Sequence, residues 1–156
     1  MQIPTRLFLL LLAVVLVRCV GSNATRSPDY EYQEVQEVEA SADEIYLDAQ
    51  AWMAEEYVSS QDAIQLRDEE NHRIIANLLT KAEAGALGLN IDFRTDLVVE
   101  ARDGRFRMTG RDIVLVPGEV EMNPTRKQFE AISTKLDSMR VELATYIEQS
   151  QEEDDW

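Results

Sequence analysis

Residues 89–108 read LNIDFRTDLVVEARDGRFRM, and their alternation decides the fold. Leu89, Ile91, Phe93, Leu97, Val99 and Ala101 fall on one side of an extended chain; Asn90, Asp92, Arg94, Asp96, Glu100 and Arg102 fall on the other. Period two with one apolar side is the pattern of a strand lying on a core with its back to water. Asp103-Gly104 then interrupts it as a two-residue hairpin signal, because both residues tolerate the positive φ of a type I′ turn. Counting outward from that turn sets the register. Ala101 faces Phe106 and Val99 faces Met108 on the buried side, while Glu100 faces Arg107 and Asp96 faces Arg111 on the wet side. Such opposite-charge pairs are worth a few tenths to about 1 kcal/mol each. They absorb most of the charge of the row Arg105, Arg107 and Arg111, which alone would resemble a nucleic-acid face. Ile113 and Leu115 are out of step with Phe106 and Met108, which predicts a β-bulge near Gly110, where the missing side chain allows a kink.

The same period holds upstream. Ile64 and Leu66 alternate with Gln65 and Arg67, Asp68-Glu69-Glu70-Asn71 makes a turn, Arg73 to Leu79 returns as a strand, and Lys81 to Gly88 is a loop leading into Leu89. Earlier still, Ser41-Ala42-Asp43-Glu44 is a capping box, in which the serine oxygen accepts from a first-turn amide and the glutamate reaches back to the cap. Behind it Ile45, Ala49, Trp52 and Met53 recur at helical spacing, with Tyr46 and Tyr57 on the flank, so a helix runs to near Ser59. Its stripe is suited to packing on a sheet; the alternative is that Trp52 lines an apolar pocket. Tyr30 to Val38 supplies a first strand.

Downstream, Pro117-Gly118 ends the sheet, and Asn123-Pro124 offers a cap residue followed by a proline at the first helical position. Phe129, Ile132, Leu136, Met139, Leu143 and Tyr146 follow at steps of three and four. They predict a helix of about seven turns, close to 40 Å at about 1.5 Å per residue. Its narrow apolar seam either holds a partner helix, as in a coiled coil, or lies on the open face of the same sheet or on the Trp52 helix. The residues alone therefore describe an α+β domain with a long C-terminal helix.

The first 24 residues carry an address. A polar start with Arg6, an uncharged apolar run from Leu7 to Val17 and the small residues Ser22-Asn23-Ala24 read as a signal peptide cleaved after Ala24. The run is short of the roughly 20 apolar residues that a spanning helix needs. The alternative takes Leu16-Val17-Arg18-Cys19 as a lipobox, with Cys19 lipidated and anchoring the chain, although Arg18 stands where such signals want a small residue. Cys19 is the single cysteine, so cleavage after Ala24 leaves neither disulfide, thiol nucleophile nor thiolate metal site. Asp plus Glu number 30 against 15 Lys plus Arg, a net charge of -15 that repels phosphate backbones and anionic membranes.

Ser41-Ala42-Asp43-Glu44-Ile45-Tyr46, Ala51-Trp52-Met53, Ala63-Ile64-Gln65-Leu66-Arg67-Asp68, Ile74-Ile75-Ala76 and Asp103-Gly104-Arg105-Phe106-Arg107 together resemble the DUF4468 family of exported bacterial domains. The resemblance covers roughly Tyr30 to Val116. It implies a TATA-binding-protein-like fold, a helix packed on a curved antiparallel sheet; a fold name is not evidence of DNA binding. The expected organisation is a signal peptide over 1–24, a tether over 25–29, a DUF4468-like domain over 30–116, a linker over 117–123, an amphipathic helix over 124–149 and an acidic tail over 150–156.

No catalytic, metal or cofactor site is expected. His72 is the only histidine, placed beside a turn where a solvated side chain is the simplest account. Asp68, Glu69 and Glu70 lack the alternate spacing and central glycine of a calcium loop. No phosphate loop or nucleophile elbow is present. The expected function is a noncatalytic extracytoplasmic binding or structural domain of the bacterial cell envelope, periplasmic, secreted or lipid-anchored through Cys19. It would hold a protein partner or a second copy on its sheet face or C-terminal seam, without nucleic acid and without a membrane span. A carrier of a small apolar ligand or peptide between the Trp52 helix and the sheet is the second reading, and a hydrolase with an unrecognised site the third.

Overall fold

A computed structural model of the protein describes residues 30–56, 64–84, 89–117 and 121–153. The signal peptide, the tether, the end of the first helix near Ser59, and Asp154 to Trp156 lie outside the described residues. The elements are β1 (Tyr32–Glu37), α1 (Ala42–Glu56), β2 (Ile64–Asp68), β3 (Arg73–Ala84), β4 (Leu89–Arg102), β5 (Arg105–Leu115) and α2 (Arg126–Glu153). The strands form one antiparallel sheet in the order β1-β5-β4-β3-β2. The chain thus starts at one edge, crosses by α1 to the other, and returns as a meander that ends beside β1. β3 continues to Ala84, replacing the first part of the expected loop, because it stays paired with β4 down to Leu89.

Register follows the count from the hairpin. Ala101 pairs with Phe106, Val99 with Met108, Glu100 with Arg107 and Asp96 with Arg111. The turn itself differs from expectation. Gly104 has φ +78, but Asp103 is not in the left-handed region, and positive φ at the second position alone excludes type I′. The Asp103 side chain instead reaches across the molecule, where its Oδ1 accepts the Ala42 amide at 2.9 Å and caps α1. The Ser41 box forms as read, with Glu44 Oε2 accepting from the Ser41 amide and hydroxyl, both at 2.7 Å. These hydrogen bonds hold the Glu44 carboxyl below the usual glutamate range.

The bulge lies slightly beyond Gly110. Between Asp96–Arg111 and Arg94–Val114 the β5 side carries one residue more, and Asp112 there adopts φ +51. Gly110 serves a different purpose, since a Cβ built on it would stand 2.8 Å from Leu136 Cδ1. A second shift between Ile64 and Leu66 turns Ile64 toward the core beside Ala76 and leaves Leu66 outward beside Ile75.

Both helices cover one face. Ile45, Ala49, Trp52 and Met53 of α1 join Ile74, Phe93, Leu97, Val99, Phe106 and Met108 of the sheet and Ile132, Leu136, Met139, Leu143 and Ile147 of α2 in a single buried cluster. The C-terminal seam is therefore closed against its own sheet and α1. Phe129 and Tyr146 flank it, Phe129 stacking on Tyr30 with ring centroids 4.6 Å apart. This corrects the partner-helix expectation, and Trp52 lies in the packed core instead of lining a pocket. α2 also begins later than Pro124. Thr125 is its cap, and the Gln128 side chain accepts from the Thr125 amide and hydroxyl at 2.8 Å each. At the other end the helix continues through the first residues of the expected tail to Glu153.

A partly buried polar knot fastens α2 to β1. Tyr32 donates to Asp137 Oδ1 at 2.8 Å, and Arg140 bonds Tyr32, Asp137 and Gln36. Burial first, then the bond to Asp137, pushes the Tyr32 phenol up to about 12.

Two measurements check this packing. Gly110→Val is expected to lower stability in urea by about 2–3 kcal/mol, and Gly110→Ala by less, through overpacking against Leu136. In an alkaline titration the unfolded chain releases the Tyr32 proton near 10 and the folded chain near 12, so the unfolded state binds fewer protons between them. Stability should fall as pH rises through that window, with the full Tyr32 contribution present below it, and Tyr32→Phe should remove that part of the slope.

Candidate functional site

With the inner face closed, the outer face of the sheet is left uncovered by the described elements. Directly opposed residues share a face, so the register defines rows across the strands. One row contains Asp68, Arg73, Glu100, Arg107 and Val35; the next contains Leu66, Ile75, Val98, Thr109 and Gln33; a third contains Asn77, Asp96 and Arg111. Charged rows thus flank a less polar one. Val98 and Thr109, in the middle of that row, are buried although they point away from the core.

The arginines on this face are not neutralised as the hairpin alone suggests. Arg107 does meet Glu100, with Nε and Nη2 donating to Oε2 at 2.9 and 2.5 Å. Asp96 instead accepts from Asn77 Nδ2 at 2.7 Å, and among the described residues Arg111 makes no ion pair. Arg105 is opposed to Arg102, a like charge. Arg73, which sequence reasoning passed over, stands opposite Asp68 and Glu100, but Asn71 occupies both oxygens of Asp68 and Arg107 holds Glu100. Extending the row one strand beyond the hairpin is the signal that would have found it.

Arg73, Arg107 and Arg111 line one cleft of about 250 Å³, with Val98, Glu100, Thr109, Gln33 and Glu31. Nε of Arg73 and Nε of Arg111 are shut off from solvent and have no hydrogen-bond partner among the described residues. A neighbouring hollow shares Glu100 and Arg107 with the cleft and extends to Arg105. Another shares Glu31 and Arg111 and extends to Val114. All three touch β5.

His72 is placed differently from a free turn residue. It has φ 47, its Nε2 is 2.7 Å from Asp43 Oδ1, and its carbonyl accepts the Ala101 amide at 2.9 Å. The side chain ties the β2–β3 turn to the first turn of α1. Asp68, the first of the three turn acids, is bonded to Asn71. Among the described residues there is no group of three or more His, Cys, Asp or Glu side chains suited to a metal ion, and no helix long and apolar enough to cross a membrane.

Residues 32–115 match the family model for a domain of unknown function, DUF4468, with a TBP-like fold. The chain belongs to the DUF4468 family. Solved relatives agree in fold. A TBP-like protein from Parabacteroides distasonis aligns with 78% of this chain and 94% of its own at a TM-score of 0.60 and 11% identity. A DUF4468 family protein from Bacteroides ovatus aligns with 82% and 91% at a TM-score of 0.56 and 15% identity. No curated protein matches the chain. The DUF4468 match stops at the end of β5, so α2 lies beyond it, although this helix closes the domain's core.

A double-mutant cycle checks the altered pairing on this DUF4468 sheet. Glu100 and Arg107 are expected to show a coupling of about 0.5–1 kcal/mol in denaturant unfolding, and Asp96 and Arg111 none.

Proposed function

We propose that the protein is a noncatalytic binding domain of the bacterial cell envelope that works outside the cytoplasm through the outer face of its sheet. The observation that carries this reading is the contrast between the two faces. The apolar stripes of both helices meet the inner face in one core. The outer face leaves Val35 52% and Leu79 64% exposed, and on the same face Arg73 and Arg111 make no ion pair among the described residues. An antiparallel sheet with one solvated face needs only polar residues there. Exposed apolar side chains together with uncompensated cations are features of an interaction surface. The site of action rests on the signal-peptide pattern of Met1 to Ala24. A binding role also fits the chemistry near His72, where Asp43 and the neighbouring backbone hold the ring in a structural corner.

The test uses photo-crosslinking residues placed singly at Val35, at Leu79 and at Val141 on the exposed side of α2, in cells of the source bacterium. Outer-face positions are expected to give discrete protein adducts in the extracytoplasmic fraction, and Val141 none. Adducts from Val141 alone, or a product retained in the cytoplasm with Met1 still attached, would sink the reading.

A further inference from the structure

The arginine cleft points to a specific ligand chemistry, and this inference rests on the outer face being the working surface. We propose that the cleft formed by Arg73, Arg107 and Arg111 binds a carboxylate side chain from an extended acidic segment of a partner polypeptide.

Three observations converge on this occupant. First, Nε of Arg73 and Arg111 are buried donors without an acceptor among the described residues. A buried polar group left unpaired is costly, the more so when charged, so two in one cleft require an explanation. Second, the missing acceptors are not missing from the sequence. Each arginine stands in register with a carboxylate that another side chain has engaged: Asp68 by Asn71, Glu100 by Arg107, Asp96 by Asn77. In a chain with twice as many acids as bases, two guanidiniums keep an unmatched Nε–H at the centre of a face. Third, the charge of the cleft selects the ligand. Its lining holds three guanidiniums and two carboxylates, Glu31 and Glu100, leaving one positive charge, which a single carboxylate cancels. A carboxylate also presents two acceptors in a plane, the geometry a guanidinium fork recognises.

The surroundings favour a polypeptide carrier. The cleft is flanked along β5 by two further hollows that share lining residues with it, one toward Arg105 and one toward Val114. Side chains on one side of an extended peptide recur at about 6.5–7 Å, so one lying along β5 can place one acid at the cleft and another toward Arg105. A nucleic-acid strand would bring a phosphate at every nucleotide to a cleft whose lining leaves a single positive charge.

The experiment follows the arginine Nε–H signals of the ¹⁵N-labelled chain from Thr25 by NMR, assigned with Arg73→Lys and Arg111→Lys. The probes are an acetylated, amidated pentapeptide alternating Glu and Thr, the same peptide with Gln for Glu, free glutarate, and sodium chloride at matched ionic strength. The Glu peptide is expected to shift both Nε–H signals at concentrations at least about tenfold below glutarate, with Arg73→Gln or Arg111→Gln weakening it about tenfold or more. The Gln peptide and chloride should leave both signals in place. Shifts with glutarate alone would overturn the polypeptide occupant; equal shifts with chloride, or none with any probe, would overturn the carboxylate site. The wild-type shifts stand as a test even where a variant fails to fold. If they are absent while outer-face crosslinking persists, the carboxylate site falls and the binding-face reading stands.

Discussion

Leu136 approaches the β5 backbone so closely at Gly110 that one added Cβ would stand 2.8 Å from its Cδ1. That approach fixes how deeply α2 settles on the sheet. From it follows the burial of Ile132, Met139, Leu143 and Ile147 on the same stripe, and the polar knot of Tyr32, Asp137 and Arg140 beside it. Leucine side chains buried in this way are worth roughly 1.5–3 kcal/mol each relative to exposure. The two helices divide the inner face, α2 packing against β3 and β1 and α1 mainly over β4. A helix outside the family match is thus integral to the domain's core.

Closing one face so thoroughly gives the other its meaning. The inner side follows the rule of an apolar, close-packed layer. The outer side departs from the rule of a merely solvated one: apolar side chains stand exposed, and on a strongly acidic protein Arg73 and Arg111 make no ion pair among the described residues. The exposed apolar residues lie on β1, β2 and β3 and the two arginines on β3 and β5, and the β5 bulge at Asp112 lies next to Arg111. Bulges at such places bend a strand and re-aim what it carries.

Much of the sheet was legible because strand periodicity and a two-residue turn are local signals. Counting from Asp103-Gly104 yields the pairing of Ala101 with Phe106 through Asp96 with Arg111. Side-chain partners were less legible, because a carboxylate in a central strand has neighbours on both sides. Asp96 faces Arg111 on β5 and Asn77 on β3, and a count from one hairpin sees only the first. The same competition hid Arg73. At α2, Asn123-Pro124 carried one start signal and Thr125-Arg126-Lys127-Gln128 another, a capping box that satisfies the helix amides directly. The heptad-like seam was correctly placed on one side of the helix, but spacing cannot distinguish a sheet from a partner helix. The difference lies in what β5 offers opposite Leu136, and a lone glycine does not announce that.

Asp103 lies 61 residues from the Ala42 amide it caps, and the neighbouring Gly104 amide and carbonyl bond to Ala40 and Val38. The entrance to α1 is therefore completed only when the β4–β5 hairpin has closed and β1 has docked beside it. The bonds at Ser41 are local to the helix start, whereas the Asp103 bond requires the long-range topology. Helix and hairpin tip thus form one cooperative unit: fraying at the start of α1 and opening of the Asp103-Gly104 turn are the same event seen from two sides, and amides at both should exchange with solvent together.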